Sequence, residues 1–291
     1  MLKIENTEVM GWEHAIRGMR NPKNSWENSI SNYCEENDCD GCGMADFRPR
    51  NSGTCYKVCV TDYALMERLR NAGTDHRKFM RMITVYLDIT APLYWWKEFD
   101  TYKVGTVANS CSTMHKIAAK EFTLEDFSIE HLFDENSLPP YEERVDIEHC
   151  EPLAAIDVNG QWCYYTPKTF MNMTCNALNH FRELYLKTKD KKYWWQMIQL
   201  LPTSYNQKRT IMLNYEVLAN IYKSRQNHKL DEWHTFCDWI KTLPYSELIT
   251  GEERGQRAML SVLDNFNALG NIYAVSSEEI RKACEVKENG K

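Results

Sequence analysis

Residues 2–10, apolar at 2, 4, 9 and 10 and polar between, read as a first strand, and a short amphipathic helix at 12–19 follows, ended by Asn21-Pro22. Residues 23–54 lose that order; they are polar, rich in Asn, Gly and Cys, and read as a long insertion. Asp62 has the place of an N-cap for a helix through Leu65, Met66 and Leu69 that Gly73 stops. Ile, Val, Tyr and Leu then recur at near strand spacing over 82–89. Pro92 suits the first turn of the next helix, which spans 92–100 with Trp95, Trp96 and Phe99 turned inward. Residues 122–159 are acidic and irregular, with Pro139-Pro140 at their middle, and read as a second insertion.

From Thr169 the pattern is helical: 169–188, then 191–200 closed by Pro202. A longer helix is expected over 211–224, where Leu213, Val217, Leu218 and Ile221 form one stripe, and another over 229–242 before Pro244. Two more, about 252–269 and 276–286, form a C-terminal extension. Helices dominate and a few strands accompany them, so the expected class is α+β. The expected organisation is one domain over 1–243, with insertions at about 23–60 and 120–165, and a helical extension over 244–291.

The chain has 291 residues, enough to bury a sizeable core, and 43% hydrophobic and 12% aromatic content places it among folded globular proteins. A net charge of −6 argues against broad non-specific nucleic-acid binding, although a local basic pocket for a phosphate remains compatible with it. The first residues lack the basic head and apolar core of a signal peptide, and no apolar run reaches the roughly 18 residues of a membrane span. A soluble, cytoplasmic protein is the expectation. The 11 cysteines then read as core thiols or metal ligands rather than disulfides.

Two stretches carry more specific information. Residues 73–115 read GTDHRKFMRMITVYLDITAPLYWWKEFDTYKVGTVANSCSTMH: a Gly/His turn, a strand and an Ala-Pro-aromatic helix start. Residues 200–233 hold Leu201-Pro202, then Asn214, Asn220 and Arg225, with positions 214, 218, 221 and 225 on one helical face. Layout and spacing resemble the flavin-dependent thymidylate synthases. The resemblance implies a twisted sheet flanked by helices and a homotetramer with sites shared between subunits. It also implies methylation of dUMP at C5 with FAD, NADPH and methylenetetrahydrofolate, the flavin carrying the chemistry. Carried over residue by residue, it implies Lys103, Thr106, Asn214 and Asn220 around the flavin, with Ser112 and Arg225 facing the uracil nucleotide.

The identities depart from that family where charge matters. Its arginine-histidine-arginine signature falls on Thr101, Tyr102 and Lys103; the other cation positions hold Met114, Ile198 and Glu216, and Glu98 replaces a Gln. Phosphate held by arginine forks gains charge-assisted bonds that these residues do not supply. Two functions from different classes follow. One is a thymidylate synthase-like protein binding flavin and a pyrimidine nucleotide, with ordinary dUMP methylation lost. The other is a catalytically inactive relative serving as a nucleotide- or protein-binding module, its insertions and extension providing the partner surface. The plainer roles are that Asn214 caps a helix, Asn220 is solvated, Arg225 makes a surface pair, Lys103 is a solvated charge and Tyr102 fills core. Cys34, Cys39, Cys42, Cys55 and Cys59 partly resemble thiolate spacing for zinc or an iron–sulfur cluster, against free thiols in a loop. No nucleophile elbow, phosphate-binding glycine loop or two-histidine zinc helix occurs.

Overall fold

The computed structural model describes residues 2–33, 56–134, 154–156, 162–164 and 166–251, with 154–156 and 162–164 described by backbone alone. In chain order come β1 (Lys3–Met10), α1 (Trp12–Arg20), β2 (Asn32–Tyr33), β3 (Tyr56–Lys57) and α2 (Val60–Asn71). Then follow β4 (Thr84–Pro92), α3 (Leu93–Phe99), β5 (Val107–Ser110), α4 (Thr113–Lys116), β6 (Ala154–Ile156) and β7 (Trp162–Tyr164). The remainder is α5 (Pro167–Thr188), α6 (Lys191–Leu200), β8 (Asn206–Asn214), α7 (Tyr215–Arg225), α8 (Asp231–Thr242) and α9 (Glu247–Thr250).

β1, β4, β8 and β5 form an antiparallel sheet in the order β1-β4-β8-β5. Its two faces follow from side-chain alternation. Val85, Leu87, Ile89 and Ala91 of β4 are buried with Ile211 and Leu213 of β8, whereas Tyr86 and Thr210 point to solvent. On the open face Asp88 accepts hydrogen bonds from Asn6 Nδ2 at 2.8 Å and Thr210 Oγ1 at 2.7 Å, and pairs with Lys208 at 3.3 Å. The turn from β1 into α1 requires Gly11: its φ is +94°, and a Cβ there would lie 2.1 Å from the Met82 carbonyl oxygen.

The buried face is covered by aromatic packing between α3 and α8. Trp95 lies 4.8 Å from Trp233 and 5.0 Å from Phe99 by ring centroids, and these rings with Trp96 and Phe236 are fully buried. Such rings bury the largest areas available to single side chains, so they set the helix positions. A second cluster joins Met171, Cys175 and Leu178 of α5 and Met197 of α6 to Ile117, Phe122 and Phe127.

The α+β class and the strands near 2–10 and 82–89 agree with the sequence reading. The boundaries differ in instructive ways. Residues 211–214 are not the first turn of a helix: they end β8, because Ile211 and Leu213 pair with Leu87 and Val85 across the ladder. Pro92 ends β4, where its missing N–H breaks the strand, and α3 starts at Leu93. Asp62 is not a cap. Cys59 holds the N-cap position of α2, and Asp62 is fully buried one turn in. The helices expected at about 252–269 and 276–286 lie outside the described residues.

Asp62 binds α2 to α1 and to the segment before β2. Arg20 Nε donates to its Oδ1 at 2.5 Å, and the Ser29 and Ser31 hydroxyls donate to Oδ2 at 2.5 Å each. Arg20 itself is 5% exposed and donates further to the Ser25 and Asn28 carbonyls. Burial alone would raise the Asp62 pKa, but the bonds from Ser29, Ser31, Cys59 and Arg20 outweigh it and hold the carboxyl below its ordinary value. A depressed folded pKa contributes stability that is complete above the unfolded value and lost as pH falls. Asp62→Asn, which leaves Arg20 buried without its counter-charge, is therefore expected to cost about 3–5 kcal/mol at neutral pH. In chemical denaturation the gap to the parent should close as pH drops below about 4, the unfolded carboxyl range.

Candidate functional site

α3 is followed by a turn, Thr101–Thr106, that the fold brings against the start of α7. Gly105 makes this contact: at φ +81°, a Cβ on it would sit 2.9 Å from Asn214 Nδ2 and 3.2 Å from Val217 Cγ2. Asn214 caps α7, its Oδ1 accepting from the Val217 amide at 3.0 Å. Thr106 is half-buried, and its hydroxyl oxygen is enclosed without a hydrogen-bond partner in the structure. Lys103 is exposed, and no carboxylate among the described residues pairs with its ammonium.

The charged centre of the region is Glu98, near the end of α3. Its Oε2 receives Arg225 Nη1 at 2.8 Å and Trp233 Nε1 at 2.9 Å, and faces His228 Nε2 at 3.3 Å. His228 Nδ1 accepts the Leu230 amide at 3.2 Å, so the ring proton belongs on Nε2, the nitrogen nearer the carboxylate. Arg225 Nε donates to the Tyr102 hydroxyl at 2.9 Å, and its guanidinium lies 4.8 Å from the Trp233 ring and 5.6 Å from that of Tyr102. One turn earlier on α3, Tyr94 bonds Glu232 of α8; burial and that carboxylate together push the phenol pKa well up. An open groove of about 580 Å³ runs beside His228, between the end of α7 and α8, with Tyr222, His234, Asp238 and Lys241 among its walls.

A second internal pair sits at the other end of α7. Arg77 Nη2 donates to Glu216 Oε1 at 3.0 Å, and Nε lies 2.8 Å from Oε2, with both side chains largely buried. The same Nη2 reaches Asn220 Oδ1 at 3.4 Å. Arg225, at the end of α7, and Arg77, against its start, are thus each matched by a carboxylate.

Of the residues singled out in the sequence, the chain brings together the Lys103–Thr106 turn, Asn214 and Arg225, with Tyr102 and Gly105 as the links. Asn220 joins through Arg77. Ser112 lies elsewhere: the next residue back, Cys111, bonds the Lys208 carbonyl, six residues along β8 from Asn214 or roughly 20 Å at strand rise. Its hydroxyl caps α4 by accepting from the His115 amide at 3.0 Å. Of the departed cation positions, Thr101 bonds the Glu98 carbonyl, Met114 is half-exposed and Ile198 packs against the second cluster. Cys34, Cys39, Cys42 and Cys55 fall outside the described residues. Cys59 is engaged with Thr61 at 3.2 Å and Asp62 at 3.1 Å, and no group of three metal-ligating side chains occurs among the described residues.

Sequence reading missed Arg77, His228 and Trp233. Trp233 ends the second informative stretch, and Arg77 follows the His of the Gly/His turn; their partners are more than 130 residues away, which no local pattern reveals.

The sequence matches no protein-family model and no curated protein. Among solved structures, the chain is similar to a flavin-dependent thymidylate synthase from Helicobacter pylori complexed with FAD and dUMP. The TM-score is 0.51 at 15% identity, over 85% of this chain and 97% of that one. A second structure of that enzyme with FAD and dUMP gives 0.51 and 15%, over 86% and 97%. A UMP/dUMP methylase from Streptomyces cacaoi bound with 5-Br dUMP gives 0.46 and 12%, over 86% and 95%. This chain therefore has the flavin-dependent thymidylate synthase fold.

The Glu98–Arg225 pair is open to direct test. Single variants Glu98→Gln and Arg225→Met and their double variant, unfolded in urea, should give a coupling energy of about 0.5–3 kcal/mol, as for residues in one bonded network. Effects that add within about 0.3 kcal/mol would remove the pair from this account.

Proposed function

We propose that this chain is a thymidylate synthase-like protein of nucleotide metabolism that binds a flavin and a pyrimidine and has lost ordinary dUMP methylation. The fold and the residues at the Lys103–Thr106 turn support the flavin half of that reading. An exposed ammonium that no carboxylate pairs with among the described residues, an enclosed hydroxyl without a partner there and a glycine-tight turn at a helix start fit a phosphate-bearing cofactor such as FAD. Lys103 and Thr106 would hold its phosphates, with Asn214 and Asn220 along the same helix. Bound there, FAD would supply the redox ring.

One observation carries the loss of methylation: Arg225, the cation expected at the nucleotide, is already neutralised by Glu98 at 2.8 Å. A unit charge pair at about 4 Å is worth roughly 4 kcal/mol at an effective dielectric of 20, so an occupied guanidinium has little left for a phosphate. Tyr102 and Trp233 orient that guanidinium, and the chain offers no second arginine at α7 without a carboxylate on it among the described residues.

The same observation favours a second reading, a binding module without catalysis that assembles with itself or a protein partner. β5 is an edge strand with all of its residues exposed, and Val104 beside it is 91% exposed, a surface that a second copy would cover. The free thiols Cys111, Cys175 and Cys237 suit a cytoplasmic setting.

The absorption spectrum of the purified protein, before and after incubation with FAD and removal of excess, should show a retained flavin band. A tritium-release assay with FAD, NADPH and methylenetetrahydrofolate should show little or no conversion of dUMP. Robust turnover would overturn the proposal, and a protein that stays colourless after FAD loading would favour the binding module.

A further inference from the structure

The Glu98 carboxylate accepts hydrogen bonds from Arg225 and Trp233 and has His228 Nε2 beside it at 3.3 Å, and each of these three groups has its own anchor. Arg225 is fixed by the Tyr102 hydroxyl and by two aromatic faces. Trp233 is fully buried and packed on Trp95 and Phe236. His228 is oriented by the Leu230 amide. None of these anchors involves Glu98. The donors would therefore keep their positions if the carboxylate were absent, and they converge within 2.8–3.3 Å of a single oxygen atom.

We propose that this arrangement is a preformed receptor for a small oxyanion, and that Glu98 fills it as an anion tethered to the chain. A guanidinium and an indole N–H, with an imidazole nitrogen beside them, make a charge-assisted cradle for one oxygen of a carboxylate or phosphate group. The tethered carboxylate meets no translational cost on entering it, so it excludes a free anion of similar strength. Its side chain is 33% exposed, which leaves the seat within reach of solvent once the carboxylate is removed. Glu98 thus shuts the nucleotide phosphate out of a seat that Arg225, His228 and Trp233 still form. The inference rests on reading Arg225 as the nucleotide-facing cation, but not on flavin binding, and its test uses no flavin.

The experiment removes the tether. Glu98→Ala should be less stable than the parent, and inorganic phosphate or formate, against chloride at equal ionic strength, should raise its Tm saturably. A shift of about 2–4 °C is expected at several times Kd. The parent should show no such shift, and Glu98→Ala combined with Arg225→Met should lose it. Should Glu98→Ala fail to fold in chloride buffer, excess formate must restore its circular dichroism spectrum. A folded Glu98→Ala variant with no anion-specific shift would overturn the receptor, as would an equal shift in the parent or in the double variant, or a failure of formate to rescue an unfolded one. Retained FAD binding beside that outcome would leave the flavin reading standing; anion rescue without FAD binding would do the reverse.

Discussion

The antiparallel ladder between β4 and β8 is the constraint on which the site depends. It runs without a bulge from Thr84 opposite Asn214 to Pro92 opposite Asn206. Because the strands are antiparallel, α3 leaves β4 at one end of the ladder and α7 leaves β8 at the other. α3 must run back across the buried face, and the aromatic packing of Trp95, Trp96 and Phe99 holds it there. The turn after it then arrives against Asn214, and β5 continues along β8 from Met212 towards Arg209. A one-residue slip in this ladder would send the buried set of one strand, Leu87 or Ile211 with it, to solvent, so the register is enforced by burial.

On that frame the chain places two arginines against α7 and gives each a carboxylate. Leaving a partly buried guanidinium group without a counter-charge is destabilising, because its desolvation exceeds what aromatic faces return. In a ligand-binding site the counter-charge comes from the ligand. Here Glu98 and Glu216 provide it from within, which makes the region stable in the absence of any ligand. Among the described residues, Lys103 is paired with no carboxylate and the Thr106 hydroxyl has no hydrogen-bond partner, and both lie on the turn rather than on the helix.

Much of this was legible in the sequence, and what was not has physical causes. The strand at β4 alternates cleanly because one face is buried and the other solvated. β8 hides its period: Arg209 lies on the buried side yet is charged, its guanidinium 4.2 Å from the Trp96 ring and paired with Asp100 at 2.7 Å. The apolar stripe of α7 runs on from Ile211 and Leu213, so strand and helix merged into one expected helix. β5 is an exposed edge strand and carries no hydrophobic pattern to read. Asp62 has the sequence position of a cap, but its charged partner, Arg20, is 42 residues away. Asn214 kept its frame in both readings, as a helix cap and as a neighbour of the turn. The repulsive charge of Glu98 was visible in the sequence; that Arg225 already answers it was not, since the two are 127 residues apart.

Calorimetric titration of the intact protein with dUMP and, separately, with deoxyuridine tests the central claim most directly, because the two ligands differ only in the phosphate. With Arg225 neutralised by Glu98, the phosphate should add nothing, so the two affinities should agree within a factor of about 3 or both lie beyond detection. Binding of dUMP tighter than deoxyuridine by about tenfold or more, roughly 1.4 kcal/mol from the phosphate, would contradict it.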